Sequence, residues 1–235
     1  MLSAVFGIAI VALPAGIVTA GYMDEIHKNE RESWIKDHLG ERGRIIMSTI
    51  TIRDAKLEDA KRLVEIYGYY VEHTVITFEY ETPSVEEFQE RMRHIMERYP
   101  YLVIKVDGKV EGYAYAGAFV GRAAYDWSCE LTIYLDHNRE KCGLGRKLYE
   151  ALEASLKKMG ILNLYACIGY PQVEDEYLTK NSAQFHAHLG FETVGTFQKC
   201  GYKFERWYDM IWMEKIIGAH QIPQVNIIPY KDLGR

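Results

Sequence analysis

One acidic side chain and a pair of glycines mark the two ends of a short run, Glu130 to Gly145, ELTIYLDHNREKCGLG. Leu131, Ile133 and Leu135 alternate there with Thr132, Tyr134 and Asp136, which is the period of a strand. A polar, turn-rich loop follows from His137 to Cys142, and Gly143 and Gly145 come where a helical pattern starts. A strand, a glycine loop and a helix start make a seat for a phosphate-bearing ligand. The unpaired N–H groups of the first helical turn point outward, the helix dipole favours anions, and glycine lets the backbone approach closely. The candidate site is therefore an anion cradle and a carboxylate, Glu130, on one strand.

The elements that must position these groups can be read along the chain. Thr49–Arg53 reads as a short strand. A helix is predicted from about Leu57 to Val71, with Leu63, Ile66, Tyr67 and Tyr70 on one face. His73–Tyr80 is β-branched and aromatic and suits either a short strand or an ordered loop. Ser84-x-x-Glu87 after Pro83 is a capping box, opening a second helix through Arg98. Tyr101–Val106 and Val110–Phe119 form a hairpin about Asp107-Gly108, a pair suited to a tight primed turn. After the central run come a helix Leu144–Met159 closed by Gly160, a buried strand Ile161–Ile168, and an acidic loop Gly169–Lys180. A short helix Ser182–Leu189, capped by Asn181, and strands Phe191–Cys200 and Lys203–Met213 complete the pattern. The order β-α-α-β-β-β-α-β-α-β-β predicts an α+β domain, a mixed sheet with helices on its faces. Residues 218–235, with Pro223 and Pro229 and little periodicity, read as a C-terminal tail.

Residues 1–46 have a different character. Leu2 to Met23 carries no charge and is long enough to span a bilayer as a helix, which takes about 20 residues. This N-terminal hydrophobic helix is followed by a linker in which acids and bases alternate, from Asp24 to Asp37. GIAIVALPAGIVTAGYMDEI resembles the end of the last pore-lining helix of voltage-gated-type potassium channels. No selectivity-filter sequence accompanies it, so the fragment cannot conduct. At Met47 the register changes, and residues 47–217 read as one enzyme domain. The channel-like segment is either a true fusion or an over-long gene model.

The 235-residue chain carries a net charge of −5, which excludes a generally basic surface for nucleic acid. The four cysteines, Cys129, Cys142, Cys167 and Cys200, have no metal or redox spacing and read as free thiols of a reducing compartment. No metal site is expected. These features place the enzyme in the cytoplasm, with residues 2–23 able to act as a membrane tether if inserted.

The strings GYAYAGAF (112–119), AYDWSCELTIYLD (124–136), GLGRKLYEAL (143–152), SAQFHAHLGF (182–191) and GYKFERWYDM (201–210) are similar, in order and spacing, to the phosphinothricin N-acetyltransferase family of the GNAT superfamily. The likeness spans roughly Ile50 to Met213. It implies the GNAT-like fold and transfer of an acetyl group from acetyl-CoA, as co-substrate, to the amine of a small amino-acid-like acceptor of phosphinothricin or methionine sulfone type.

By the same resemblance Glu130 matches the general base, acting directly or through a water. His186 matches a histidine near the reacting centre that holds substrate or protonates the leaving thiolate. The cofactor residues implied are Ile133, Tyr134 and Leu135 on the strand, Lys141, Cys142, Gly143, Leu144, Gly145 and Arg146 at the loop, and Asn181. Where the superfamily loop begins with Arg or Gln, this chain has Glu140, amid the positive charges of Arg139, Lys141, Arg146 and Lys147. Phe78, Arg122, Tyr125 and Thr132 match the acceptor pocket, with Arg122 suited to a carboxylate or phosphinate. Val120 stands where some members carry a basic residue, which leaves other small amino acids and sulfone or sulfoximine analogues open. Family members of this kind tend to be homodimers. Other readings of the same residues are a non-catalytic acyl-CoA-binding sensor, a protein-amine acetyltransferase, and an interaction subunit anchored through residues 1–46.

Overall fold

The strand and helix periods of the sequence reappear in the computed structural model, which describes residues 48–139 and 142–234. These residues belong to a unit that begins at Ser48. In chain order it comprises β1 (Ile50–Asp54), α1 (Ala60–His73), α2 (Val85–Met96), β2 (Tyr101–Val106), β3 (Lys109–Ala118) and β4 (Ser128–Leu135). It continues with α3 (Leu144–Met159), β5 (Asn163–Tyr170), α4 (Asn181–His188), β6 (Glu192–Lys203) and β7 (Arg206–Ile216). The expected N-terminal helix 2–23 and the charged linker lie outside the described residues. Among the described residues no helix is long and apolar enough to cross a membrane.

Local chemistry accounts for most element boundaries. A 3-10 turn, Leu57–Asp59, precedes α1, so the helix proper starts later than the periodicity suggests. The Ser84 hydroxyl accepts the Glu87 N–H at 3.1 Å and opens α2. That helix stops at Met96, before the expected Arg98, because the N–H groups of Arg98 and Tyr99 both turn back to the Ile95 carbonyl. Asp107 and Gly108 have φ of 49° and 85°, the left-handed pair that a primed hairpin turn requires. Of the segment His73–Tyr80, His73 ends α1 and Thr74–Tyr80 is an ordered loop, not a strand; β5 starts at Asn163, not Ile161. α4 starts at Asn181 itself; Lys180 holds the cap position with no side-chain cap bond of its own, and the Thr179 hydroxyl accepts the Asn181 N–H at 3.4 Å.

The strands form one mixed sheet in the order β1-β2-β3-β4-β5-β7-β6. Only β4 and β5 run parallel. β2 is buried on both faces. Tyr101 and Val103 share a core with Leu63, Ile66 and Tyr67 of α1 and Phe88 and Met92 of α2. Leu102 and Ile104, equally buried, point the opposite way, where α3 packs with Leu148, Leu152 and Leu156 inward.

The segment after β7 is not a free tail. The Trp127 indole donates to the Val225 carbonyl at 2.7 Å, the Ile228 N–H to the Met159 carbonyl at 2.8 Å, and the Tyr230 hydroxyl to Asp54 at 2.7 Å. It is a strap across the sheet end where β4 and β5 begin.

Candidate active site

The site comes from a failure of strand pairing. β4 pairs with β3 from Cys129 to its end at Leu135. With β5 it pairs only at Ser128–Asn163, Cys129–Leu164 and Glu130–Tyr165, after which the two strands diverge. From Leu131 onward the main-chain groups of β4 that face β5 have no strand partner, and buried peptide groups need one. A cavity of about 600 Å³ opens there between Glu130–Tyr134 on β4 and Ala166–Gly169 on β5.

Of the residues expected to act, Glu130, Thr132, Ile133, Tyr134, Phe78 and His186 all line this cavity. Glu130 is half-buried at its base, and burial raises its carboxyl pKa above the usual range. Leu135 ends β4, and its carbonyl accepts the Tyr70 hydroxyl at 2.8 Å. Gly143 caps α3 in the left-handed conformation, φ 80°, beside half-buried Cys142 and exposed Arg146. Leu144 and Gly145 are buried, and a Cβ on Gly145 would come within 3.2 Å of the Phe185 ring. The second glycine of the loop thus lets α3 approach α4. Lys141 and Glu140 lie outside the described residues.

His186 is 4% exposed. Its Nδ1 lies 2.7 Å from the Ser182 carbonyl, which can only accept, so Nδ1 carries the proton. Nε2 then accepts from the Tyr149 hydroxyl at 2.9 Å. Burial lowers the imidazole to about 4, against the opposing effect of the Ser182 hydrogen bond, so the ring is neutral near pH 7. Tyr149, which the sequence reading missed, also lines the cavity. It falls among the apolar positions of α3, and only the chain fold turns its hydroxyl toward α4.

Arg122 and Tyr125 are not brought to the main cavity. They border a separate pocket of about 160 Å³ with Phe119, Arg98 and Asp126. Asn181 opens α4, but Ser182 and His186 are the α4 residues that line the cavity. Thr77, missed in sequence because threonines in loops carry no distinct signal, sits in the cavity wall and bonds the Tyr67 hydroxyl at 2.8 Å. Among the described residues no cluster of His, Cys, Asp and Glu could hold a metal ion.

Comparison with known proteins bears on the fold and the family. The family described as Acetyltransferase (GNAT) domain matches residues 52–212. Phosphinothricin N-acetyltransferase of Streptomyces viridochromogenes is 34% identical over 161 residues, 68% of this chain and 84% of that protein. The L-methionine sulfoximine/L-methionine sulfone acetyltransferase of Salmonella typhimurium is 29% identical over 178 residues, 74% of this chain and 98% of the relative. A GNAT superfamily phosphinothricin acetyltransferase from Sinorhizobium meliloti, solved with acetyl-CoA, superposes with a TM-score of 0.66 at 34% identity. It covers 72% of this chain and 89% of that one. These matches do not support the pore-helix likeness of residues 1–46, since the shared region begins at Ile52. The sheet that splits at Glu130, the glycine-capped α3 and the matched span lead to one conclusion: the chain belongs to the GNAT acetyltransferase family.

Proposed function

We propose that this protein transfers an acetyl group from acetyl-CoA to the amine of a small amino-acid-like acceptor, of the phosphinothricin or methionine sulfone type, with Glu130 as the general base. The observation that carries the reading is the divergence of β4 from β5 immediately past Glu130, which sets a half-buried carboxylate at the base of a cavity. The acceptor class is inferred from the relatives named phosphinothricin and methionine sulfoximine/sulfone acetyltransferases.

The residues present suit acetyl-CoA. Gly143, Leu144, Gly145 and Arg146 open α3, whose first-turn N–H groups lack intrahelical partners, and Lys141 and Cys142 precede them in the sequence. Ile133, Tyr134 and Leu135 lie on the length of β4 that β5 leaves unpaired. Acetyl-CoA supplies the activated acyl group and the thiol leaving group.

An alkyl amine is protonated at neutral pH, with a reference pKa of about 10, and must lose a proton before it attacks. Glu130 accepts that proton, directly or through a water. Its raised pKa brings it nearer the working pH than an exposed glutamate would be. His186 acts by position: its one proton, on Nδ1, is committed to the Ser182 carbonyl, and its Nε2 holds the Tyr149 hydroxyl in the cavity wall.

The test is a CoA-release assay on residues 47–235 and on the full chain. The panel includes phosphinothricin, methionine sulfone, methionine sulfoximine and a lysine peptide. Turnover on the small acids that disappears in Glu130→Gln supports the reading. Preference for the peptide moves the acceptor to protein amines, and acetyl-CoA binding without turnover on any amine makes the protein a sensor.

A further inference from the structure

The string GYKFERWYDM carries much of the family likeness, yet acetyl transfer as described uses neither Gly201 nor Lys203. Both sit at the end of β6, against the loop that carries Phe78. Lys203 is 2% exposed. Its ammonium donates to three main-chain carbonyls, Val71 at 2.7 Å, Thr74 at 2.9 Å and Thr77 at 2.9 Å. An ammonium has three protons and no acceptor, so all of its hydrogen-bonding capacity is spent on the end of α1 and the loop that follows it. Val71 and Thr74 lie at the C-terminal end of α1, where carbonyls lack helical partners and a cation is favoured.

Two residues away, a Cβ added to Gly201 would fall 2.1, 2.5 and 2.7 Å from three atoms of the Phe78 ring. No other residue is among its nearest contacts. The ring also meets Gly169 of β5, where an added Cβ would lie 3.6 Å away. The Tyr80 hydroxyl closes the same seam by donating to the Tyr202 carbonyl at 2.5 Å. Phe78, Thr77, Gly169 and Gly201 all line the main cavity.

We propose that Gly201 and Lys203 set the acceptor wall of the cavity. Gly201 is the seat of the Phe78 ring, Lys203 clamps the main chain that delivers the ring, and together they determine which acceptors fit. Neither touches the reacting atoms; both are positioning residues. The inference rests on the acetyl-transfer reading for what the cavity accepts, and on the geometry alone for how the wall is built. A side chain at 201 must displace the Phe78 ring, so the effect of Gly201→Ala should exist only while Phe78 is present.

A double-mutant cycle tests this directly. Gly201→Ala is expected to raise the acceptor KM about tenfold, the scale of one misplaced apolar contact. The KM for acetyl-CoA stays within about twofold. In a Phe78→Ala background the same substitution has no further effect. Lys203→Met is expected to speed amide hydrogen exchange in residues 71–78 while β2 and β3 keep their protection. Additive Gly201→Ala and Phe78→Ala effects, or equal changes in both KM values, overturn the proposal. So does exchange in Lys203→Met that rises across the whole chain. If Lys203→Met does not fold, the Gly201/Phe78 cycle decides alone. If the wild type acetylates nothing on the panel, the acetyl-transfer reading fails, and exchange in residues 71–78 of Gly201→Ala and Lys203→Met still judges the wall.

Discussion

Glu130 lies opposite Tyr165 in the last register pair that β4 and β5 share. One residue farther, the strands part. The carboxylate therefore stands where main-chain pairing ends and the cavity begins, buried enough to raise its pKa and open enough to meet a ligand. Glu130→Gln keeps the shape and removes the base. The expected loss in kcat/KM is about 10²- to 10⁴-fold, with acetyl-CoA affinity unchanged by calorimetry. Because burial raises this carboxyl, the acid limb of the wild-type kcat/KM profile should lie above the ordinary glutamate value of about 4.3, the rate falling as pH drops through it. A variant as fast as wild type would remove Glu130 from the base role.

The buried His186 makes stability depend on pH in a defined direction. Its folded pKa, about 4, lies below the unfolded value of 6.5. Between those values the unfolded chain binds a proton that the folded chain does not, so stability falls as pH falls from about 6.5 toward 4. The full difference is about 3 kcal/mol. Urea unfolding at pH 7 and pH 5 should register about 2 kcal/mol of it, the rest falling below pH 5. His186→Phe should abolish this component of the slope, at a cost at pH 7 of about 1 kcal/mol for the Tyr149 hydrogen bond.

Asp175 organises the loop between β5 and α4. Its carboxylate accepts the N–H groups of Tyr177 and Leu178 at 2.9 Å, the Tyr208 hydroxyl at 2.8 Å and Arg206 at 2.9 Å. Leu178 in turn lines the cavity. Asp175→Ala orphans those donors and should cost about 1–3 kcal/mol. Limited proteolysis should then cut within residues 171–180, and the acceptor KM should rise before the acetyl-CoA KM does. Uncleaved loops in the variant would count against the role of Asp175.

The C-terminal strap should matter to stability and not to turnover. Its hydrogen bonds reach Trp127, Met159, Arg98 and Asp54, none of which lines the main cavity. Tyr230→Phe should cost about 1 kcal/mol, and truncation after Ile217 more than that, both read as a lower Tm. KM values for both substrates should be unaltered. A kinetic effect of the truncation would mean that the strap reaches the site.

Much of the architecture is local in origin and was legible along the chain. The Asp107-Gly108 turn, the Ser84–Glu87 cap, the glycine ends of α3 and the alternation of β4 are each written within a few residues. The sequence by itself thus determined the order of elements, the α+β class and, through five matching strings, the family. What it could not show is which distant partners residues 218–234 meet, because Trp127, Met159 and Asp54 reach that segment only through the fold.

The tertiary structure alone decided which residues meet. Phe78, Glu130, His186 and Gly201 come from four separate segments and share one cavity because the sheet order places β4, β5 and β6 on its two sides. The same order leaves Arg122 and Tyr125 at a different pocket. Periodicity reports the face of an element, not its neighbour, and a pKa depends on burial and hydrogen-bond partners that exist only after folding. That is why Glu130 and the cradle could be named from residue types, while the neutral state of His186 and the clamp at Lys203 required the folded chain.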